Sequence, residues 1–299
     1  PPRSTLFPYT TLFRSDELHR RNFFIEKRQT PTLSYQYHPL FQNFLKNLAY
    51  RKLETKEIND FQCRGAAILA RDGLTEEAVT LYNDAMAYEP LTDLILTQAP
   101  QLFTHGRFLT LAQWIAFLPE KWISQNPWLL YWKSMTVMLS LPPQGQLLCI
   151  ASFEGFKKTG DIMGQIVSWS VIVESFIIMR GTFTDLDRWI TEGERLGQLL
   201  SPELDGNITA RFMGSMLAAL MLRNLAHPEF TIWQKRCEAL ISRIDIQQTL
   251  AGFGFKLIWS YHWMGQIHKA RTLIKRLRST KSYESGSPLA QCGLRMIMA

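Results

Sequence analysis

Cysteine is scarce in this sequence and forms no pairs. Cys63, Cys149, Cys237 and Cys292 lie far apart with no paired spacing, which excludes a disulfide framework and a zinc site built on cysteine pairs. Free thiols in a reducing compartment are the simple reading, so a cytoplasmic chain is expected. The phosphate-cradling pattern G-x-x-x-x-G-K-[ST] is missing, and "GFKKTGD" at Gly155 has only a superficial likeness to it. Also missing are G-x-S-x-G and H-E-x-x-H. The six histidines are scattered, and His262 and His268 do not share a helical face. Carboxylates in "TEE" and "EGE" read as solvated helix faces. No catalytic, metal or cofactor residue is expected here, and the chain does not read as an enzyme.

A long uninterrupted apolar run is lacking too. "GQIVSWSVIVESFIIMRG" carries Glu174 in its middle, and the charge-free stretch around residue 141 contains Pro142 and Pro143. Neither reads as a membrane span.

At 46% apolar and 20% charged residues, the composition is that of a folded globular chain. The opening "PPRSTLFPYTTLFRS" is different, holding neither a helical nor a strand period. All fifteen residues resemble the translation of a widely used short-read sequencing adapter. Residues 1–15 are therefore set aside as a disordered scar. Without Arg3 and Arg14 the net charge of +7 becomes +5, which is compatible with nucleic-acid contact without arguing for it. The remaining 284 residues suffice for a large core or two domains. "LAQCGLRMIMA" ends the chain inside a helical pattern, so both ends are expected to interrupt a longer protein.

"NFFIE" and "LSYQYH", separated by the turn-like "KRQTPT", suggest a hairpin. "HPLFQNFLKNLAYRK" then sets Leu40, Phe41, Phe44, Leu45 and Leu48 at helical spacing. From about residue 57 onward the pattern is helix broken by Gly and Pro. In "DGLTEEAVTLYNDAMAYEP", Thr75 reads as an N-cap, with Glu76 and Glu77 in the first turn. A glycine recurs at the turn before an amphipathic helix: Gly73, Gly106, Gly181 and Gly265, with Gly145 a weaker member. A period near ~34–47 residues marks stacked helix pairs, which bury their apolar stripes only against neighbours.

Two lone charges stand out. Lys133 is the only charge in "NPWLLYWKSMTVMLS", and Glu174 is the only charge in "IVSWSVIVESFIIM". Assigned to successive repeats, Lys133 and Glu174 are expected to form a structural ion pair. The alternatives are side chains that reach solvent, or Glu174 paired with Arg180 or another base. In "IHKARTLIKRLRSTK", Arg271, Lys275 and Arg278 share a face, which reads as a solvated face first and a phosphate-contacting one second.

The segment "YQYHPLFQNFLKNLA", Tyr35 onward, resembles the end of the winged-helix domain of the MalT-like signalling ATPases and related bacterial regulators. "GLTEEAVTLYNDA", "LPEKWISQNPWLLYWKSM" and "GTFTDLDRWI" resemble their superhelical sensor region. The resemblance implies the C-terminal part of a winged-helix domain over residues 16–55 and a helical-repeat region over residues 56–299. An ATPase domain and a DNA-binding output domain would lie outside this sequence, so DNA would be reached only through missing domains. His38 matches a position of the family motif and is read as structural. The expected fold class is all-α: an α-solenoid of tetratricopeptide-like helix pairs after a winged-helix remnant. The expected function is the sensor and scaffold part of a transcription-regulating signalling ATPase. A small-molecule inducer or a regulatory protein would bind the superhelix and shift a closed form toward an open, self-associating one. A stand-alone peptide-binding repeat scaffold is the alternative. A helical-repeat RNA binder would need base-reading polar residues at a fixed position of each repeat, and none are found.

Overall fold

The computed structural model describes residues 17, 20–21, 24–30, 32–179, 181–200, 205–243 and 250–278. The adapter-like Pro1–Ser15, Arg180, Cys292 and the C-terminal helical pattern lie outside the described residues. The chain divides into two compact units, Pro1–Ala87 and Tyr88–Ala299. The boundary expected between residues 55 and 56 falls inside the first unit, where its second helix begins.

In the first unit, β1 (Ile25–Thr30) pairs antiparallel with β2 (Thr32–Tyr37), Ile25 opposite Tyr37 and Thr30 opposite Thr32. The ladder runs through most of the expected turn "KRQTPT", because each further pair satisfies backbone groups that a wider loop would leave to water. Helix α1 (Pro39–Lys52) starts with proline in its first turn, where no donor is missed. The His38 ring caps it, Nδ1 accepting from the Leu40 N–H at 3.3 Å. Phe41 stacks on Phe24 and Phe44 and meets the edge of Tyr37. Helix α2 (Thr55–Arg71) opens on a capping box, the Glu57 carboxylate accepting from the Glu54 N–H at 3.0 Å. Helix α3 (Thr75–Asp84) follows and packs along α2. Its N-cap is Leu74, one residue before the expected Thr75. The Leu74 N–H closes the end of α2 on the Leu69 carbonyl, so one residue ends one helix and begins the next.

That closure requires a left-handed residue at Gly73, with φ +83°. Gly106 and Gly265 repeat it, each followed by an N–H bonded back to a carbonyl five residues earlier. Gly181 has no positive φ, and Gly145 lies within a helix against Met138, so the glycine recurrence mixes different roles. At the end of α3 the same closure is made by Met86, with φ +51° and the Ala87 N–H bonded to the Tyr82 carbonyl. The left-handed conformation costs an L-residue roughly 1–2 kcal/mol. Glycine avoids this but gives back roughly 0.5–1 kcal/mol in unfolded-chain entropy. Met86 is 65% exposed, so little packing is lost. Met86→Gly is expected to raise stability by about 0.5–1 kcal/mol, read as a higher urea midpoint; a lower midpoint would show that the methionine side chain matters more than the turn.

The second unit is helical throughout its described residues. Its helices are α4 (Tyr88–Thr104), α5 (Phe108–Ala116), α6 (Glu120–Gln125), α7 (Pro127–Val137), α8 (Pro142–Thr159), α9 (Ile162–Met179), α10 (Leu186–Gln198), α11 (Gly206–Arg223), α12 (Phe230–Arg243), α13 (Leu250–Trp263) and α14 (Ile267–Arg278). Helix α9 packs on α8, α10 and α11, and α11 packs on α13. Helices α12 and α14 lie against α11 and α13. The sequence pattern dictates who sits where. Every residue from Gly164 to Val173 of α9 is buried, a helix apolar all round and so enclosed. By contrast α10 buries one stripe: Leu186, Trp189, Ile190, Gly193 and Leu196. Helix α9 is long and apolar enough to cross a membrane by composition, yet two thirds of its apolar window is covered by neighbouring helices.

Trp169 is the centre of this packing. It is fully buried, its Nε1 donates to the Trp189 carbonyl at 2.7 Å, and its ring lies against Phe212 of α11. Gly193 makes room for it: a Cβ there would strike the indole and the Met216 sulfur. The P-loop-like "GFKKTGD" is mostly helix. Gly155 to Thr159 belong to α8, and Gly155 lets that helix approach the Pro127 ring. The left-handed Gly160 then ends the helix.

Candidate functional site

Three helices bring three charges together inside the second unit. Glu174 comes from α9, Arg211 from α11 and Lys256 from α13, each from the middle of an otherwise apolar stretch. The Arg211 fork donates to Glu174 through Nη2 to Oε2 at 2.7 Å and Nε to Oε1 at 3.4 Å. Lys256 Nζ donates to Glu174 Oε1 at 2.6 Å and to Ser215 Oγ at 2.9 Å. Ser215 in turn donates to Glu174 Oε1 at 3.2 Å. The free end of the guanidinium reaches the Tyr131 hydroxyl at 3.4 Å. The Lys256 side chain is 7% exposed, that of Glu174 25% and that of Arg211 32%, so Lys256 is desolvated and its two partners in the cluster are partly so.

Burial acts to raise the Glu174 pKa, but the Arg211 guanidinium and the Lys256 ammonium outweigh it and hold the carboxyl well below the usual carboxylate range. Burial also acts against the Arg211 charge, and Glu174 more than restores it. Burial raises the Tyr131 phenol despite Arg211, so it stays neutral. The cluster therefore carries one negative and two positive charges.

These charges open onto a cavity of about 810 Å³, within the range of small-molecule sites. Phe103, Phe108, Met135, Val171 and Ile178 supply much of its apolar wall, and Thr104, Thr136, Ser140 and Asn207 add polar groups. Leu109 and Leu139 also line it, yet are 82% and 74% exposed, which places them toward its solvent side. The cavity thus draws on α4, α5, α7, α9, α11 and α13.

The expected Lys133–Glu174 pair is not formed. Lys133 Nζ instead donates to both Glu120 oxygens of α6, at 3.1 and 2.9 Å. The reason is the helix face: Tyr131 and Met135 of α7 turn toward the cluster, while Lys133, two residues from each, lies on the other side of the helix and meets α6. The alternative that Glu174 pairs with another base is the one the structure contains; Arg180 lies outside the described residues. Arg271 and Lys275 are exposed on α14, away from the cavity lining, and the Arg278 side chain is outside the described residues.

Arg211 and Lys256 carry the same signal that singled out Glu174. Lys256 is the only Lys, Arg, Asp or Glu in α13, and Arg211 is the only one in α11 before its last residue. Isolation in an apolar helix marks both in the sequence, as it marks Glu174.

Burial pushes the Cys149 thiol up to about 12 and raises Cys237 as well, so neither is a thiolate at neutral pH. Among the described residues no group of three or more His, Cys, Asp or Glu could hold a metal ion.

Comparison with curated proteins gives twelve matches, of which one is described. The HTH-type transcriptional regulator MalT of Cronobacter sakazakii (strain ATCC BAA-894) is 29% identical over 114 residues. The chain is similar to a transcriptional regulator. The matched stretch covers 38% of this chain and 12% of the regulator, so the similarity supports a MalT-like relationship and a regulatory role, no more finely than that. No protein family model and no solved structure matches the chain.

Proposed function

We propose that the chain is the sensor and scaffold segment of a bacterial transcription-regulating signalling ATPase, and that an effector occupies the cavity above Glu174, Arg211 and Lys256. The second unit is read as a solenoid of tetratricopeptide-like helix pairs: α9, α11 and α13 form one row, with α10, α12 and α14 packed beside it. The hairpin and α1 are read as the remnant of a winged-helix domain. The segment is non-catalytic and cytoplasmic, and it reaches DNA only through domains outside this sequence. The observation that carries the reading is the cavity itself. A ligand there touches six helices and a charge cluster drawn from three of them, so binding can favour one arrangement of the row over another and shift its population. The resulting form is read as the one that self-associates or engages a regulatory protein.

A chemically diverse small-molecule library screened by thermal shift on the full chain tests this. Ligands of the native state raise the melting temperature with concentration. Hits are expected whose shift disappears in Leu109→Trp, a change at an exposed residue of the cavity lining that fills its solvent side. A screen without such hits would overturn the assignment of the cavity.

A further inference from the structure

We infer that the cavity takes a small organic anion with an apolar body, such as a medium-chain carboxylate. The inference rests on the reading of this cavity as an effector site and names the chemical class of the effector.

The charge balance comes first. Among the described residues, Arg211 and Lys256 line the cavity with Glu174 as the one acidic lining residue, so this lining carries a net positive charge. Desolvated charge is costly unless it is paired. Glu174 is shared between both cations, and part of their donor capacity is left over. Lys256 has three donors, of which Glu174 Oε1 and Ser215 Oγ engage two. Among the described residues, the Nη1 edge of Arg211 has only the long 3.4 Å contact to the neutral Tyr131 hydroxyl. An incoming anion would complete the pairing. A cation would meet like charge, and a neutral ligand would leave the imbalance in place.

The walls decide the rest of the ligand. Phe103, Phe108, Met135, Val171 and Ile178 offer rings and branched or flexible hydrocarbon, and methionine adapts to irregular shapes. The other polar lining side chains are Thr104, Thr136, Ser140 and Asn207, too few to satisfy a densely hydroxylated body. Leu109 and Leu139 continue the apolar surface to the solvent side. Head group toward Arg211 and Lys256, hydrocarbon along α5 and α7, is the arrangement that pairs charge with charge and apolar surface with apolar surface.

Isothermal titration calorimetry of the full chain tests this with decanoate, decan-1-ol and decyltrimethylammonium, each below its aggregation concentration. Decanoate is expected to bind about ten-fold or more tighter than decan-1-ol, the span of one charge-assisted hydrogen bond. Decyltrimethylammonium is expected to bind weakest. Leu109→Trp should abolish decanoate binding. Leu109→Glu changes an exposed residue and leaves the core intact; it removes apolar contact for both ligands but adds repulsion only for the anion, so it should weaken decanoate about three-fold or more beyond its effect on decan-1-ol. Equal affinity for decanoate and decan-1-ol overturns the inference, as does stronger binding of the cation. Decanoate binding that survives Leu109→Trp overturns it too, because the anion then sits elsewhere. If a neutral or cationic ligand binds and is lost in Leu109→Trp, the anion class fails while the effector-site reading stands. If nothing in the library or among these probes fills the cavity, both fail.

Discussion

Glu174→Gln is expected to lower the stability of the Tyr88–Ala299 unit by about 3 kcal/mol. Removing one partner of a buried pair typically costs roughly 3–5 kcal/mol, because the other charge is left desolvated. Here two cations lose their shared partner, Arg211 and Lys256, at 2.7 and 2.6 Å. The partial exposure of Glu174 and the acceptor that glutamine retains place the effect at the lower end. In a unit of this size, about 2–4 °C per kcal/mol converts it to a melting temperature lowered by roughly 6–12 °C. The effect depends on pH in a definite direction. The folded pKa of Glu174 lies below its unfolded value of about 4.3. Its contribution is therefore fully present above that unfolded value and is lost as pH falls through the folded one. The gap between native chain and Glu174→Gln should be constant near neutrality and narrow below about pH 4.3. A variant as stable as the native chain at pH 7 would show that the cluster is not desolvated. As a control, Lys133→Met should cost little, since the Glu120 partner is largely exposed and exposed pairs contribute about 0–1 kcal/mol.

Trp169→Ala is expected to cost about 3–5 kcal/mol, the usual range for emptying a buried tryptophan site. The indole is fully buried among α10 and α11, and the site collapses poorly because Gly193 is already a gap shaped to the ring. The substitution also leaves the Trp189 carbonyl without its 2.7 Å donor. Trp169→Phe should lose less, since it retains much of the volume but not the donor. Chemical denaturation of both variants reads this directly. A loss under about 1 kcal/mol for Trp169→Ala would mean that α9 does not anchor the unit as described.

The helical character of the chain is legible in the sequence because its signals are local. Stripes such as Leu186, Trp189, Ile190 and Leu196 face inward as their spacing requires, and Gly73, Gly106 and Gly265 end helices where a left-handed residue is needed. The hairpin is legible too, though its turn is tighter than "KRQTPT" implied. Thr75 is displaced as N-cap because Leu74 is already committed to closing α2. The site is legible only in part. Glu174 is marked by its isolation in α9, but the identity of its partners depends on which helices become neighbours. That is a long-range outcome of packing, carried by contacts such as Trp169 on Phe212 across α9 and α11. Periodicity along one helix does not encode it, so Lys133, equally isolated in sequence, goes to Glu120 instead. The cavity has no signature in the sequence. It exists because side chains from six helices converge, and no short stretch of sequence records that convergence.

The central claim is that the cavity over Glu174, Arg211 and Lys256 is where an effector acts on the helix row. Hydrogen–deuterium exchange of the full chain, with and without a saturating hit from the library screen, tests it most directly. Increased protection is expected in α9, α11 and α13 around these three residues, with the hairpin and α1 to α3 unchanged. Saturated binding with no change in the exchange of α9, α11 and α13 would contradict it.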